Sequence, residues 1–419
     1  MAVHRAGIRR AARRRPGVNL AAFDRALDPS EALFAGNRST VAYSVFGTGV
    51  LDTDALTTAF RALLTSYPVL SAQIVPARHG YVLAHLPHPP ALQLGACTAL
   101  PRSGFTIVDP TAVCAVDAAQ DGNDFRLTLL THHSIADAGA GLTYLEVLCS
   151  LYTRVVETGS AGTARPHPLA MSLEQFLAAR GYVISTPSAP PAPPATPAAP
   201  TVDATVVVRH GRTRLGREQT TRLFDAARAA GLTVHGVVCA AILLAAQALS
   251  QSQDPITFGL TSSVDLRTRT GAPITAAQGT VIQGANTAIL AVTPDDDPSR
   301  LARAVLDSLA GGLADHSVHQ AFLRPAPLHQ PSIENPLMVT NWGRIPPLHL
   351  PEGLRVNDFR ATVRGGRIRL RATTLPPSFF ITTCDGRLSL DHPTWVADES
   401  DPTLGWTAAL GRAFDRILR

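Results

Sequence analysis

Residues 185–200 read Ser-Thr-Pro-Ser-Ala-Pro-Pro-Ala-Pro-Pro-Ala-Thr-Pro-Ala-Ala-Pro. Proline at this density removes backbone donors and fixes φ, so neither helix nor sheet runs through it. Such a stretch is an extended, semi-rigid spacer. It divides the 419-residue chain, with residues 185–203 as the linker. Residues 25–184 are expected to form one lobe and residues 204–419 a second. Each is long enough to bury a core of its own. No sequence repeat relates them.

Both halves mix helix and strand signals. Thr40 to Gly47 is β-rich and closed by glycine. Asp52 is placed to cap a helix to Ser66, with Leu56, Phe60, Leu63 and Leu64 on one stripe. Phe125, Leu127 and Leu129 alternate as a strand to Thr131. A helix is expected over Gly141–Tyr152, with Leu142, Leu145, Leu148 and Leu151 along one side. After the linker, helices are expected at Glu218–Ala230 (closed by Gly231), Val234–Leu249, Ser299–Leu309 and from Thr403. Strands are expected at Ile256–Ser262, Leu337–Thr340, Arg367–Thr373, Phe379–Thr383 and Arg387–Asp391. The prediction is two α/β domains with a cleft between them.

The net charge of +5 misleads. Arg5, Arg9, Arg10, Arg13, Arg14 and Arg15 fall in a segment with no acid, and removing those six leaves −1. A nearly neutral body argues against nucleic acid as a partner. Residues 1–24 read as a basic, disordered leader. Its apolar run, Val18 to Phe23, is shorter than the roughly 7–15 residues of an export signal. No uncharged apolar run reaches the ~18 residues of a membrane span. Cys97, Cys114, Cys149, Cys239 and Cys384 are odd in number and form no Cys-x-x-Cys pair, so reduced thiols and a cytoplasmic location are expected.

The chemistry concentrates at one strand-to-helix junction, Thr131-His132-His133-Ser134-Ile135-Ala136-Asp137-Ala138-Gly139. Two adjacent histidines on an extended backbone point to opposite sides, so one can face a cleft while the other packs. Imidazole suits proton removal from a hydroxyl or amine at neutral pH. Asp137 lies where a tight turn can bring its carboxylate back, to fix the backbone or an imidazole tautomer. There is no Gly-x-Ser-x-Gly elbow and no cysteine with an evident base. A purely structural His pair is the plainer reading of the local pattern. Metal binding by His132, His133 and Asp137 is the third, but no further clustered ligand completes a site, so no metal is expected.

Those residues resemble a family. His132-His133-x-x-x-Asp137 is similar to the His-His-x-x-x-Asp-Gly motif of the condensation-domain and chloramphenicol-acetyltransferase-like acyltransferase superfamily. Arg25 to Glu31 resembles that group's opening segment. Leu51 to Leu56, through Tyr67-Pro68-Val69-Leu70, resembles its first helix and close. Val264-Asp265-Leu266-Arg267 and Asn341-Trp342-Gly343 resemble second-half motifs. The likeness spans residues 25–415 and runs closest to phthiocerol/phthiodiolone dimycocerosyl transferase-type, polyketide-associated acyltransferases.

The resemblance implies two chloramphenicol-acetyltransferase-like α/β lobes with a tunnel at their interface. It implies His133 as general base, beside His132 and a structural Asp137 paired with an arginine, for which Arg267 is the candidate. Asp265 and Asn341 are further supports. The expected reaction moves an acyl group from a carrier-protein or coenzyme A thioester to a hydroxyl of a polyketide-like or other small molecule. The thioester is a co-substrate and no resident cofactor is expected. An amide-forming enzyme and a non-catalytic homologue that docks carrier proteins are the alternatives. A monomer is expected. The motif glycine is replaced by Ala138, which costs about 1 kcal/mol if that position needs positive φ. Arg355, Arg360, Arg364, Arg367, Arg369 and Arg371 are opposed only by Asp358. They form either a solvated strand face or a basic strip for an acidic donor, with Arg367, Arg369 and Arg371 as the docking residues.

Overall fold

Asp52 does what its position predicts: its Oδ1 accepts from Asp54 N at 3.0 Å and Ala55 N at 2.9 Å, opening a helix at Thr53. The computed structural model describes residues 24–95, 97–102, 104–182, 207–323, 334–364, 376–396 and 400–419. The proline-rich linker, all of the leader except Asp24, the strand expected at Arg367–Thr373 and the docking residues Arg367, Arg369 and Arg371 lie outside these.

The first half runs β1 (Asp24–Ala26), α1 (Pro29–Asn37), β2 (Thr40–Thr48), α2 (Thr53–Ser66), β3 (Ala72–Ala77), β4 (Gly80–His85), β5 (Leu92–Leu94), β6 (Cys114–Asp121), β7 (Asp124–His132), α3 (Ala138–Thr158) and α4 (Leu173–Ala179). The second half runs β8 (Val207–Arg214), α5 (Arg217–Ala229), α6 (Val234–Ser250), β9 (Ile256–Asp265), β10 (Gln283–Val292), α7 (Pro298–Ala314), α8 (Ser317–Gln320), β11 (Pro336–Arg344), β12 (Arg355–Arg364), β13 (Ser378–Cys384), β14 (Arg387–Val396) and α9 (Thr403–Ile417).

Among the described residues the strands form three sheets. A small one has the order β1-β4-β3. The first large sheet is β12-β2-β7-β6-β5 and the second is β10-β9-β11-β13-β14-β8. Helices α2 and α3 pack on the first large sheet, where Leu56, Phe60, Leu63 and Leu64 meet Leu127, Leu129, Leu145 and Leu148 in one buried core. Helix α6 is apolar all round and lies at the centre of the second core, among Leu260, Leu301, Val339, Ile381 and Phe414. The architecture is α/β with two lobes.

The linker does not mark where the sheets divide. β12 follows the linker in sequence yet pairs antiparallel with β2, from Arg355 opposite Thr48 to Arg364 opposite Thr40. The chain then returns to the second sheet at β13. This crossover carries ion pairs between the lobes. Arg212 of β8 reaches Asp358 at 2.5 Å and the Phe359 carbonyl at 3.1 Å, while Arg360 donates to Asp391 of β14 at 2.8 Å. Arg360, one member of the basic strip, is thus a bridge between sheets.

Helix α3 is longer than its leucine stripe predicts. It opens at Ala138 because Asp137 caps it, and it closes at Gly159, whose φ of 72° is left-handed. All five thiols are free, and all but Cys97 are buried. Among the described residues no single helix is long and apolar enough to cross a membrane.

Phe359 is fully buried on β12, inside the first lobe's core. Phe359→Ala is therefore expected to cost about 3–5 kcal/mol, read by denaturant unfolding. A loss below about 1 kcal/mol would contradict the seating of β12 in that sheet.

Candidate active site

β7 is held on both sides, by β2 and by β6, so its end is fixed in space. Pairing continues to the motif: His132 N donates to Val113 O and His133 N to Ser39 O, each at 2.7 Å. A tight turn follows, closed by Ile135 N to His132 O at 3.0 Å. Ser134 is buried and its hydroxyl donates to the Glu31 carbonyl at 2.7 Å. The turn therefore has little freedom before α3 begins.

The two imidazoles differ in role. His132 is buried, and its Nδ1 accepts from Ser134 N at 3.1 Å. Burial, then the neighbouring His133 and Arg38, push its pKa down to about 3. His132 is a neutral packing group. His133 is half-buried. Its Nδ1 lies 3.2 Å from the Ala136 carbonyl oxygen, which can only accept. Nδ1 therefore carries the proton, and Nε2 keeps the lone pair. Burial lowers the His133 pKa from its ordinary 6.5, and hydrogen bonds to main-chain oxygen and the Asp137 charge oppose the shift.

Asp137 is the hub of the turn. Its Oδ1 accepts from Ala140 N at 2.9 Å, capping α3. Its Oδ2 accepts from Ile282 N at 2.8 Å, across the lobes. Arg267 Nη2 grips both oxygens at 3.0 and 2.9 Å. Arg267 Nε also donates to Oδ1, at 3.3 Å, while Nη1 donates to the Thr275 carbonyl at 3.0 Å and Nη2 to the Thr280 carbonyl at 2.9 Å. Of the two tasks open to Asp137 in the sequence, the structure shows the backbone one. The His133 tautomer is set by Ala136, not by the carboxylate.

The other sequence candidates fall around this hub. Asp265 turns the end of β9, accepting from Arg267 N at 2.9 Å. Asn341 makes its bond locally: its Oδ1 accepts from Gly343 N at 2.9 Å, across a bulge where Gly343 has φ of 73°. That bulge turns Trp342 into the first lobe's core, its ring 4.9 Å from Tyr43. Ala138 is the first residue of α3 and has no positive φ, so it stands in for the motif glycine without backbone strain.

Sequence reasoning missed two contacts. The Tyr43 hydroxyl donates to the Asp137 carbonyl at 3.0 Å, and a Cβ on Gly141 would come within 1.9 Å of the Tyr43 ring. Gly141 is the space in which that tyrosine lies. Phe34 of α1 stacks on the His133 ring, centroids 4.0 Å apart. A pair of glycines opening an otherwise apolar helix was the available signal for the first. The second joins residues 99 positions apart and left no local mark.

The model for the C-terminal part of phthiocerol/phthiodiolone dimycocerosyl transferases matches residues 204–393. A phthiocerol/phthiodiolone dimycocerosyl transferase of Mycobacterium sp. (strain JLS) is 30% identical over 361 residues, covering 79% of this chain and 84% of that protein. The chain belongs to the phthiocerol/phthiodiolone dimycocerosyl transferase family. It is an acyltransferase. Solved structures agree in fold. Polyketide synthase associated protein 5 from Mycobacterium tuberculosis superposes with a TM-score of 0.74 at 24% identity, over 94% of this chain and 96% of that one. The first condensation domain of the CDA synthetase gives 0.63 at 16% identity, over 94% and 95%.

Arg267 and Asp137 are both buried, so removing one partner strands the other's charge. Arg267→Ala is expected to lose about 3–5 kcal/mol of stability in chemical unfolding. A loss under about 1 kcal/mol would show that the pair does not hold the lobes to the turn.

Proposed function

We propose that this acyltransferase uses His133 as a general base to esterify a hydroxylated acceptor with an acyl group carried as a thioester. The observation that carries the reading is the 3.2 Å contact of Nδ1 with the Ala136 carbonyl: an oxygen that only accepts assigns the proton to Nδ1, so Nε2 is the ring nitrogen able to take one. Burial keeps the ring neutral at pH 7, the form a base needs.

The acceptor hydroxyl gives its proton to Nε2 as its oxygen attacks the thioester carbonyl. A carbon–oxygen bond forms, the carbon–sulfur bond breaks, and the His133 proton passes to the departing thiolate. No covalent acyl-enzyme is invoked. The nearest hydroxyl in the turn, Ser134, is buried and committed to Glu31. The relatives' name describes transfer of a dimycocerosyl group to phthiocerol or phthiodiolone. For this chain we infer the same class of chemistry: an acyl thioester on a carrier protein or coenzyme A as co-substrate, a polyketide-like alcohol as acceptor, and no resident cofactor. Arg267 and Asp265, with Asp137, act on the turn and not on substrate, and His132 packs. Asn341 supports the second lobe's bulge. Arg367, Arg369 and Arg371 are assigned to the donor side on charge alone.

His133→Ala is expected to lower kcat at least about a hundredfold while leaving the unfolding midpoint near that of the parent. The assay offers palmitoyl-coenzyme A and an aliphatic diol as trial donor and acceptor. In the parent, the rate should fall as pH drops through the His133 pKa, on an acid limb below 6.5, because the protonated ring cannot accept. Full activity of the variant, or a rate flat through that limb, would remove the base assignment.

A further inference from the structure

Phe34 lies nearly flat on the His133 imidazole, with planes inclined by 18°. A helix as short as α1 is marginal on its own. This one is tied down by Glu31, which is fully buried. The Glu31 carboxylate accepts from Arg25 at 2.8 and 2.7 Å, from Asp28 N at 3.1 Å and from Thr280 Oγ1 at 2.6 Å. Its carbonyl accepts from Ser134, the residue after the base. Ser30 gives both its N–H and its hydroxyl to Glu174 at 2.7 Å. Phe34 follows Glu31 by three positions and so shares its side of the helix. The helix is fastened to the His133 turn and to the other lobe, and it delivers an aromatic face to one imidazole.

A benzene face attracts an imidazolium more strongly than a neutral imidazole, through the ring quadrupole. In the proposed reaction His133 is neutral before proton removal and cationic after it. The stack therefore strengthens toward the transition state, which is the condition for an interaction to raise kcat. We propose that Phe34 is a positioning residue for acyl transfer: it fixes the plane of the His133 ring and stabilises the charge that ring acquires. The inference rests on His133 as the base. Asp137 favours the same charged form but is largely committed to Arg267. His132 and Arg38 are the nearby ionisable groups, and the Arg38 charge acts on His132. Phe34 has no ionisable group, so replacing it changes the stack and leaves those charges in place.

Phe34→Leu keeps apolar bulk and removes the aromatic face, and Phe34→Trp restores one. The His133 pKa is read by NMR titration of the full chain, with kinetics on palmitoyl-coenzyme A and an aliphatic diol. Phe34→Leu is expected to lower that pKa by roughly half a unit to one unit and kcat by roughly three- to tenfold, with KM unchanged. Phe34→Trp is expected to return both toward the parent. An unchanged pKa in Phe34→Leu, or a change confined to KM, would overturn the role. If His133→Ala is inactive while Phe34→Leu matches the parent, the positioning role alone fails. If His133→Ala is fully active, the base reading fails, whatever the Phe34 variants show.

Discussion

One buried ion pair organises this molecule. Asp137 and Arg267 meet across the two lobes with nearly all their hydrogen-bonding capacity used. Two desolvated charges contribute little net stability when well paired, but either one alone is severely unfavourable. The pair therefore acts less as a source of stability than as a specification. It fixes where α3 starts, where the β9–β10 connection lies, and hence where the turn before Asp137 presents His133. A surface ion pair could not do this, because water would satisfy either partner in many geometries.

Around that hub the lobes are stitched at separate points. Ile282 N and Thr280 come from the second lobe to Asp137 and Glu31. The Tyr144 hydroxyl donates to the Ala276 carbonyl at 2.9 Å. β12 crosses back into the first sheet and is pinned by Arg212 and Arg360. The result is an imidazole carried on one lobe, at the end of a turn that both lobes hold. That arrangement suits a reaction in which two substrates must meet at one imidazole, because the placement of each lobe sets the approach to it.

What was legible in the sequence was what is local. Asp52 capping α2, the leucine stripes of α2 and α3, and the strand-to-helix turn at His133 each follow from residues within a few positions of one another. Only the motif resemblance points to Arg267 as the partner, since nothing in spacing joins residues 130 positions apart. β12 was unreadable as a strand of the first sheet because sheet pairing carries no record of a partner's distance along the chain. The same is true of Phe34 over His133. Helix α3 starts three residues before the Gly141 that the sequence suggests, because Gly139 and Gly141 weaken the local helix signal. Gly141 is kept for the Tyr43 ring, and the Asp137 cap supports the turn that the glycines would loosen.

The proposed acyl transfer depends on the protonation of one ring. Nitrogen-15 NMR of histidine-labelled protein at pH 7, with the His133→Ala variant used to assign the signal, tests it directly. The account predicts a neutral His133 protonated at Nδ1, with an unprotonated Nε2. A ring protonated at Nε2, or at both nitrogens, would contradict it.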